Sequence, residues 1–454
     1  MNEDPQYQRI AAWVQKQRDD IIADLGDLVN IPSVADPKAR VQPFGEPCRR
    51  VLACILEKGR KKGFCCRNYD DYGGSVFGKE TKENRKHVGL WAHLDVVPEG
   101  EGWEFPPFSM TERQGWLIGR GVQDNKSAAV AILYVLKAME ELGLSKNCVF
   151  DAYFGCAEEI GMYDVNYIKE HYPLPPLSIV VDCGFPVCYG ESGILDMEFQ
   201  ALEEAPEWLL DIRAGSAGNT VPEYAEITLK KDSGEIQTWK ASGKAVHTGV
   251  AETAENALYS LLERVKEAEK DREFLPLKFP LELQDLELFS DCFMNSGEKL
   301  HGAVTLAGMK ERKVTFHLDI RYPILDGNGQ LTDGGKLQKC LEERAADCGL
   351  LVTRCKNQRP SYYPPDKKEV KALENAFRKF GGYTDSNYCM SGGTYARALP
   401  QAFAFGMALP EKKLYPELSV GGDYHQPNES LNIEEYMKAI TLLIACLAEL
   451  DKSV

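Results

Sequence analysis

A histidine and an aspartate follow one of the most apolar runs of the chain. The run ends in VGLWA, and His93 and Asp95 come directly after it, in HLDVVP. Residues two apart on an extended chain face the same side. The carboxylate of Asp95 can therefore fix the tautomer of His93 and raise its basicity as a metal ligand. Alone the pair is a weak signal, because a satisfied core histidine explains it about as well.

A third acidic residue, Asp124, stands in GRGVQDNKS, just before an apolar helix predicted over 127–142. Aspartate is a good helix N-cap, which is one interpretation of this position. The other is that its two carboxylate oxygens bridge two cations. The glycines that precede it would then allow close approach of the backbone.

Carboxylates also follow the next two predicted strands. Glu158 and Glu159 come after the strand predicted over 149–155, and Asp182 ends the apolar run in IVVDCGF. Adjacent carboxylates at a buried strand end repel each other unless a cation or a proton intervenes. One of the two can then bind metal while its neighbour acts as a base, and a solvated pair in a loop is the alternative. Acidic residues and a histidine at successive strand ends favour a metal site.

Two other histidines are weaker candidates. His425 lies in GGDYHQPNES, a loop before the last predicted helix, and His247 lies in SGKAVHTGV. Neither position is informative without the strand-end residues described above.

These residues must be positioned by an α/β domain, because apolar strands alternate with helices over much of the chain. From about residue 189 the strands become longer and more polar, and the α/β pattern returns at about residue 369. We therefore predict a three-layer α/β/α catalytic domain with a mixed, mostly parallel sheet, formed by 1–188 and 369–454. Residues 189–368 are predicted to form an inserted α+β, ferredoxin-like lid domain.

Composition excludes several classes of function. The 454 residues include 53 Lys and Arg against 69 Asp and Glu, which gives a net charge of −16. Such an acidic protein is not expected to bind nucleic acid or an anionic membrane surface. The N-terminus has no apolar signal core, and the 14 cysteines form no CxxC pair. We expect reduced core thiols and a cytoplasmic protein.

Six motifs occur in an order that resembles a known family. They are HLDVVP, GRGVQDNK, AEE, DIRYP, GGTYAR and the loop of His425. This set resembles the dinuclear-zinc metallopeptidases of clan MH, which include aminoacylases, carboxypeptidases and dipeptidases. Within that family the chain is most similar to the PepV-type bacterial dipeptidases, from about Leu25 to its end.

The resemblance implies a set of five metal ligands. His93 and Asp182 would hold one ion, Glu159 and His425 would hold the other, and Asp124 would bridge them. Two divalent ions are expected, with Zn²⁺ first and Mn²⁺ or Co²⁺ as alternatives, because nitrogen and oxygen ligands suit all three. Three carboxylates and two neutral imidazoles leave one positive charge on such a pair, which suits a bridging hydroxide.

The resemblance also implies catalytic and substrate-binding residues. Asp95 would orient the first imidazole, and Glu158 would be the general acid/base. From the inserted domain, His247 would contact the tetrahedral intermediate with help from Asn219, and Arg321 would bind the substrate carboxylate.

A glycine-rich turn completes the implied site. Gly392, Gly393 and Thr394 would offer backbone N–H groups to the same carboxylate. The Asp124–Asn125 peptide bond is expected to be cis.

These observations predict an enzyme that hydrolyses the amide bond of dipeptides or short peptides. An N-acyl-amino-acid amidohydrolase with the same mechanism stays open, and a non-catalytic metal-binding protein is the remaining alternative. Small peptides are the expected partners. A monomer is expected, with a dimer as the alternative, because a long insert can replace the contacts that shorter relatives gain by dimerising.

Overall fold

The computed structural model describes residues 3–79, 85–294, 296–410 and 421–453. The chain divides into two compact units. The first unit comprises Met1–Tyr189, Tyr363–Cys389 and Gly393–Val454, and the second comprises Gly190–Tyr362 and Met390–Gly392. Two short stretches lie in the other unit from the predicted domain, since residues 363–368 belong to the first unit and Met390–Gly392 to the second.

A mixed sheet forms the centre of the first unit. Its four central strands are parallel and follow the order Cys148–Gly155, Lys86–His93, Leu177–Val180 and Ala402–Phe405. Antiparallel strands flank them, namely Gly73–Phe77 and Cys65–Tyr69 on one side and Val187–Glu191 on the other. The parallel register pairs His93 with Gly155 and Trp91 with Val180. The segments that follow these strands therefore leave the sheet at the same edge.

Six helices of the first unit are Pro5–Val29, Glu46–Lys61, Lys126–Glu141, Tyr163–His171, Lys368–Gly381 and Ile433–Ser453. The helix Lys126–Glu141 is buried along almost its whole length, because it packs against the central strands and against the first and last helices. Its run AAVAILYVL offers an apolar side chain in every direction, as a helix enclosed on all sides requires. The helix predicted over 127–142 is therefore confirmed.

Small sheets connect the loops of the first unit. A hairpin of Thr111–Arg113 and Trp116–Ile118 pairs with Ser430–Asn432. Just after this sheet, the side chain of Asn432 accepts hydrogen bonds from the backbone N–H groups of Glu434 and Glu435 and caps the last helix. A second small sheet joins Cys183–Gly184 to Met407–Ala408. A short strand also occurs at Tyr388–Met390 and a 3-10 turn at Tyr395–Arg397, whereas the short strand Ser361–Tyr362 belongs to the second unit.

The second unit is built on an antiparallel sheet of seven strands. Their order is Ile236–Ser242, Tyr224–Lys230, Leu209–Ala214, His301–Lys310, Lys313–Tyr322, Gly193–Ala201 and Leu350–Gln358. The helices are Ala257–Ala268, Lys278–Glu282 and Gly335–Asp347, with 3-10 turns at Thr248–Thr253, Leu275–Leu277 and Leu286–Phe293. Buried Leu261 and Leu341 share one apolar core with Phe199, Phe316 and Leu318 of the sheet. The prediction of an α+β domain is confirmed.

Within the ranges described, no helix is both long and apolar enough to cross a membrane.

Candidate metal centre

Strand ends and loops bring the predicted ligands of the first unit together. His93 is the last residue of its strand, Asp182 lies two residues after Leu177–Val180, and Glu159 lies in the turn after Cys148–Gly155. Carboxyl ends of parallel strands meet at one edge of the sheet, which is where α/β proteins gather ligand-binding residues.

Asp124 presents one carboxylate oxygen to each of two histidines. Its Oδ1 lies 2.9 Å from Nε2 of His93, and its Oδ2 lies 3.0 Å from Nε2 of His425. Oδ2 of Asp182 is 3.8 Å from the same nitrogen of His93, and Oε1 of Glu159 is 3.1 Å from that of His425. The five side chains thus form two donor groups that share Asp124.

These separations fit a pair of metal ions. Zn²⁺ bound tetrahedrally at about 2.0–2.1 Å places neighbouring donor atoms roughly 3.3 Å apart, and the distances within both groups lie around that value. Donor atoms of His93, Asp124 and Glu159 all lie within 4.8 Å of one another. Imidazole and carboxylate donors of this kind suit Zn²⁺, Mn²⁺ and Co²⁺.

The electrostatics of the two groups also favour cations. Burial disfavours the imidazolium of His425, but hydrogen bonds to Asp124 and Glu159 outweigh burial and raise its pKa to about 10. For His93, burial is likewise outweighed by the charge of Asp182 and the hydrogen bond to Asp124, so its pKa is raised well above the usual value. The carboxylates therefore favour positive charge at Nε2 of His93 and at Nε2 of His425, and a divalent cation carries more positive charge than a proton.

Asp95 anchors the turn that carries the two glutamates. Its buried carboxylate accepts hydrogen bonds from the backbone N–H groups of Glu158 and Glu159, at 3.2 and 3.0 Å. Nδ1 of His93 is 3.4 Å from Oδ1 of Asp95 but 2.9 Å from its carbonyl oxygen. The residue thus orients the imidazole chiefly through its carbonyl group, whereas the carboxylate holds the turn.

Glu158 has the properties of a proton carrier. Burial raises the pKa of Glu158 well above the usual value. The positive charge of His93 lowers this pKa, and the negative charges of Asp182 and Glu159 raise it further. Buried carboxyl groups with a raised pKa are common among general acids and bases.

In the second unit, His247 caps the 3-10 turn Thr248–Thr253, and Asn219 contacts the first residue of that turn. Nδ1 of His247 accepts the backbone N–H of Gly249 at 3.1 Å. The backbone N–H of Thr248 donates to the carbonyl oxygen of Asn219 at 3.0 Å. The turn Thr248–Thr253 therefore fixes these two predicted residues beside each other.

Arg321 is linked to the same turn through Asp319. The hydroxyl of Thr248 donates to Asp319 at 2.7 Å, and Arg321 donates to both oxygens of that carboxylate at 2.9 and 3.1 Å. A further N–H of Arg321 donates to the carbonyl oxygen of Ser391 at 3.1 Å, next to Gly392.

The predicted GGT turn is divided between the units. Gly392 belongs to the second unit, whereas Gly393 and Thr394 belong to the first. Oγ1 of Thr394 accepts the N–H of Ala396 at 3.1 Å and begins a short 3-10 turn. A Cβ on Gly393 would lie 2.5 Å from Nε of Arg397, so a larger residue there would have to displace the Arg397 side chain.

Residues 89–449 match the model of peptidase family M20/M25/M40. This chain is a member of that family. The resemblance drawn from the motifs is thereby confirmed, and so is the prediction of an enzyme that hydrolyses peptide bonds.

Relatives of this M20 peptidase match along nearly their whole length. A Beta-Ala-Xaa dipeptidase of Lactobacillus delbrueckii subsp. lactis is 25% identical over 96% of this chain and 97% of its own. Human carnosine dipeptidase 1 has a TM-score of 0.62 at 14% identity, covering 98% of this chain and 99% of that one. A dinuclear metal-binding M20 peptidase of Bacillus subtilis has a TM-score of 0.51 at 11% identity, covering 97% and 100%. The two structures show the fold, and they confirm an α/β catalytic domain with a lid domain.

The contacts of Asn125 in the M20 peptidase were not predicted from the sequence. Asn125 follows Asp124 across a cis peptide bond, as the family resemblance implied. Its amide donates to Asp182 at 2.7 Å and to the carbonyl oxygen of Val181 at 3.0 Å, and its Oδ1 accepts the backbone N–H of His93 at 3.2 Å. A side chain with both donors and an acceptor thus joins three ligand-bearing segments.

Proposed function

We propose that this M20 peptidase is a metal-dependent dipeptidase that hydrolyses dipeptides or short peptides. Asp124 carries the proposal, because its two oxygens face two separate donor groups at 2.9 and 3.0 Å. A carboxylate shared between two such groups is suited to a two-metal hydrolytic centre. The name of the Lactobacillus relative, a Beta-Ala-Xaa dipeptidase, supports dipeptides as the substrate class.

The five ligands would divide between two ions, which we propose to be Zn²⁺, with Mn²⁺ or Co²⁺ as alternatives. His93 and Asp182 would hold one, Glu159 and His425 the other, and Asp124 both. When bound, such a pair activates water and polarises the carbonyl of the peptide bond.

Glu158 would move the proton during hydrolysis. In this role it accepts a proton from the attacking water and returns it to the leaving amine, a contribution of about 10²–10⁴-fold in rate. Two features support the assignment. Its pKa is raised by burial, and its backbone N–H is held by Asp95, which fixes the turn that carries it.

The second unit would supply the groups that recognise the substrate. We assign to His247, with Asn219, the stabilisation of negative charge on the tetrahedral intermediate. We assign the substrate α-carboxylate to Arg321, with backbone N–H groups of the Gly392–Thr394 turn. The link through Thr248 and Asp319 described above supports this, because a guanidinium held by a carboxylate loses little further freedom on binding.

We also propose a monomeric cytoplasmic enzyme. Cys48, Cys156 and Cys446 are free thiols in the core, as is typical of a reducing compartment. Light scattering after size-exclusion chromatography and cell fractionation test the two statements.

A substrate panel tests the function. Purified protein loaded with Zn²⁺, Mn²⁺ or Co²⁺ would be assayed on β-alanyl dipeptides, α-dipeptides and N-acetyl amino acids. We expect kcat/KM for the best dipeptide to exceed that for any N-acetyl amino acid, and activity to disappear on chelation. A preference for N-acetyl amino acids would make the protein an amidohydrolase, and hydrolysis that survives complete metal removal would refute the mechanism.

A further inference from the structure

A buried ion pair joins the loops around the proposed metal centre. Nη1 of Arg120 lies 2.8 Å from Oε2 of Glu429, and the two side chains are 1% and 0% exposed. Neither residue belongs to the two donor groups. Arg120 lies in the loop of Asp124 and Glu429 in the loop of His425, so the buried pair joins these two loops.

The carboxylate of Glu429 is occupied by the backbone that leads to Asp124. Its Oε2 accepts the N–H of Gly121 at 3.0 Å, and its Oε1 accepts the N–H groups of Gln123 and Asp124 at 2.8 and 3.1 Å. An ionised carboxylate is an acceptor at every position, so it can receive all of these bonds. A glutamine would have to turn an NH₂ group towards backbone donors.

Arg120 extends the same network to the backbone beside His425 and to one further loop. Its Nη1 also donates to the carbonyl oxygen of Gln426, the neighbour of His425, at 3.3 Å. Its Nη2 donates to the carbonyl oxygens of Pro98 and Glu99 at 3.4 and 3.1 Å, in the loop that follows the His93 strand. The guanidinium fork therefore holds two loops at once, that of His425 and that after the His93 strand, which an ammonium group cannot reproduce.

We propose that Arg120 and Glu429 are positioning residues that set the separation between the carboxylate of Asp124 and the imidazole of His425. The inference rests on the proposed function, because it presupposes metal ions at these ligands. His425 is 42% exposed and lies in a loop at a φ of +62°, so no strand or helix fixes it. Loss of the pair should therefore weaken the ion held by His425 more than the ion held by the strand-end residue His93.

Asp451 offers a matched control at the other end of the sheet. Its buried carboxylate accepts the backbone N–H groups of Lys146, Asn147 and Cys148 at 3.0, 2.9 and 2.7 Å. These residues precede or begin the strand Cys148–Gly155, whose opposite end leads to the glutamates. Asp451→Asn thus makes the same chemical change as Glu429→Gln, away from every proposed ligand.

The test measures metal affinity and stability rather than activity. Zn²⁺ stoichiometry and both dissociation constants would be measured by competition with a chromophoric chelator, and Tm would be measured on the metal-free proteins. We expect Glu429→Gln to bind one ion with an affinity near that of the wild type and the other about 10–100-fold more weakly. Asp451→Asn should lower Tm and leave both affinities nearly unchanged. Unchanged affinities in Glu429→Gln, or an equal loss in Asp451→Asn, would overturn the positioning role.

A second variant decides the matter if Glu429→Gln does not fold. Arg120→Lys keeps the charge but loses the fork, so we expect the same ion to bind roughly 3–10-fold more weakly. If both Zn²⁺ ions bind this variant as tightly as the wild type, the positioning role of Arg120 and Glu429 is overturned, whereas the proposed function is not. Fewer than two ions in the wild-type protein would instead overturn the proposed function, and the inference with it.

Discussion

Glu158→Gln should remove nearly all turnover while the protein keeps both metal ions. Glutamine matches the shape of glutamate but cannot take up and return a proton. Glu158 is also not one of the five proposed metal ligands. The substitution should therefore separate proton transfer from metal binding.

The surroundings of Glu158 set the size of the effect. General acid–base catalysis contributes about 10²–10⁴-fold, or roughly 3–5.5 kcal/mol of activation free energy. Burial raises the pKa of Glu158, and the neighbouring charges of Asp182 and Glu159 raise it further. A carboxyl group with a raised pKa can serve as base and acid in turn, so we expect a loss within that range, about 10²–10⁴-fold in kcat.

Glu159→Gln is the matched control, because it makes the same change one residue away. Glu159 lies 3.1 Å from His425 as a proposed ligand, so this variant should lose metal as well as activity. Both variants would be assayed for kcat on a dipeptide at saturating Zn²⁺ and for metal content by mass spectrometry. A Glu158→Gln enzyme with activity within about tenfold of wild type, well short of the loss expected of a general base, would refute the assignment. So would a loss of metal equal to that of Glu159→Gln.

Three further predictions follow from other parts of the molecule. Arg321→Ala should raise KM roughly 10–100-fold for dipeptides with a free α-carboxylate, and an equal rise for the C-terminal amides would make its role structural. Asp24→Asn should lower the free energy of unfolding by about 1–3 kcal/mol at pH 7. Burial alone would raise the pKa of Asp24, but Lys58 and Lys62 outweigh it and lower the pKa. This stabilisation is present above the unfolded-state pKa of about 3.9 and is lost as the pH falls through the lower folded-state value, so denaturation curves of the two proteins should converge in acid. A constant gap at low pH would contradict this. Chelation should lower Tm by several degrees and added Zn²⁺ should restore it, whereas an unchanged Tm in scanning fluorimetry would argue against tight binding.

Elements with a strong apolar pattern were predictable from the sequence. The strand Lys86–His93 and the helix Lys126–Glu141 are buried almost throughout, so nearly every residue in them signals its environment. The strand Leu350–Gln358 was missed, because it pairs on one side only and most of its side chains are partly or fully exposed. An edge strand of this kind carries charges such as Arg354 where a central strand would carry apolar residues.

The candidate site divides in the same way. Residues such as His93 and Asp182 were predictable because a polar side chain directly after an apolar strand is unusual. Glu429 was not, because an acidic residue in the loop sequence PNES carries no sign that it is buried. Its environment depends on Arg120 and on backbone N–H groups that lie far away in the sequence, and only the folded chain brings them together.

Anomalous diffraction from crystals of the zinc-loaded protein tests the central claim most directly. Two peaks roughly 3.5–4 Å apart are expected, one on each side of the Asp124 carboxylate. The first should be bound by His93 and Asp182, and the second by Glu159 and His425. A single peak, or peaks that do not share Asp124 as a ligand, would contradict the two-metal account of this enzyme.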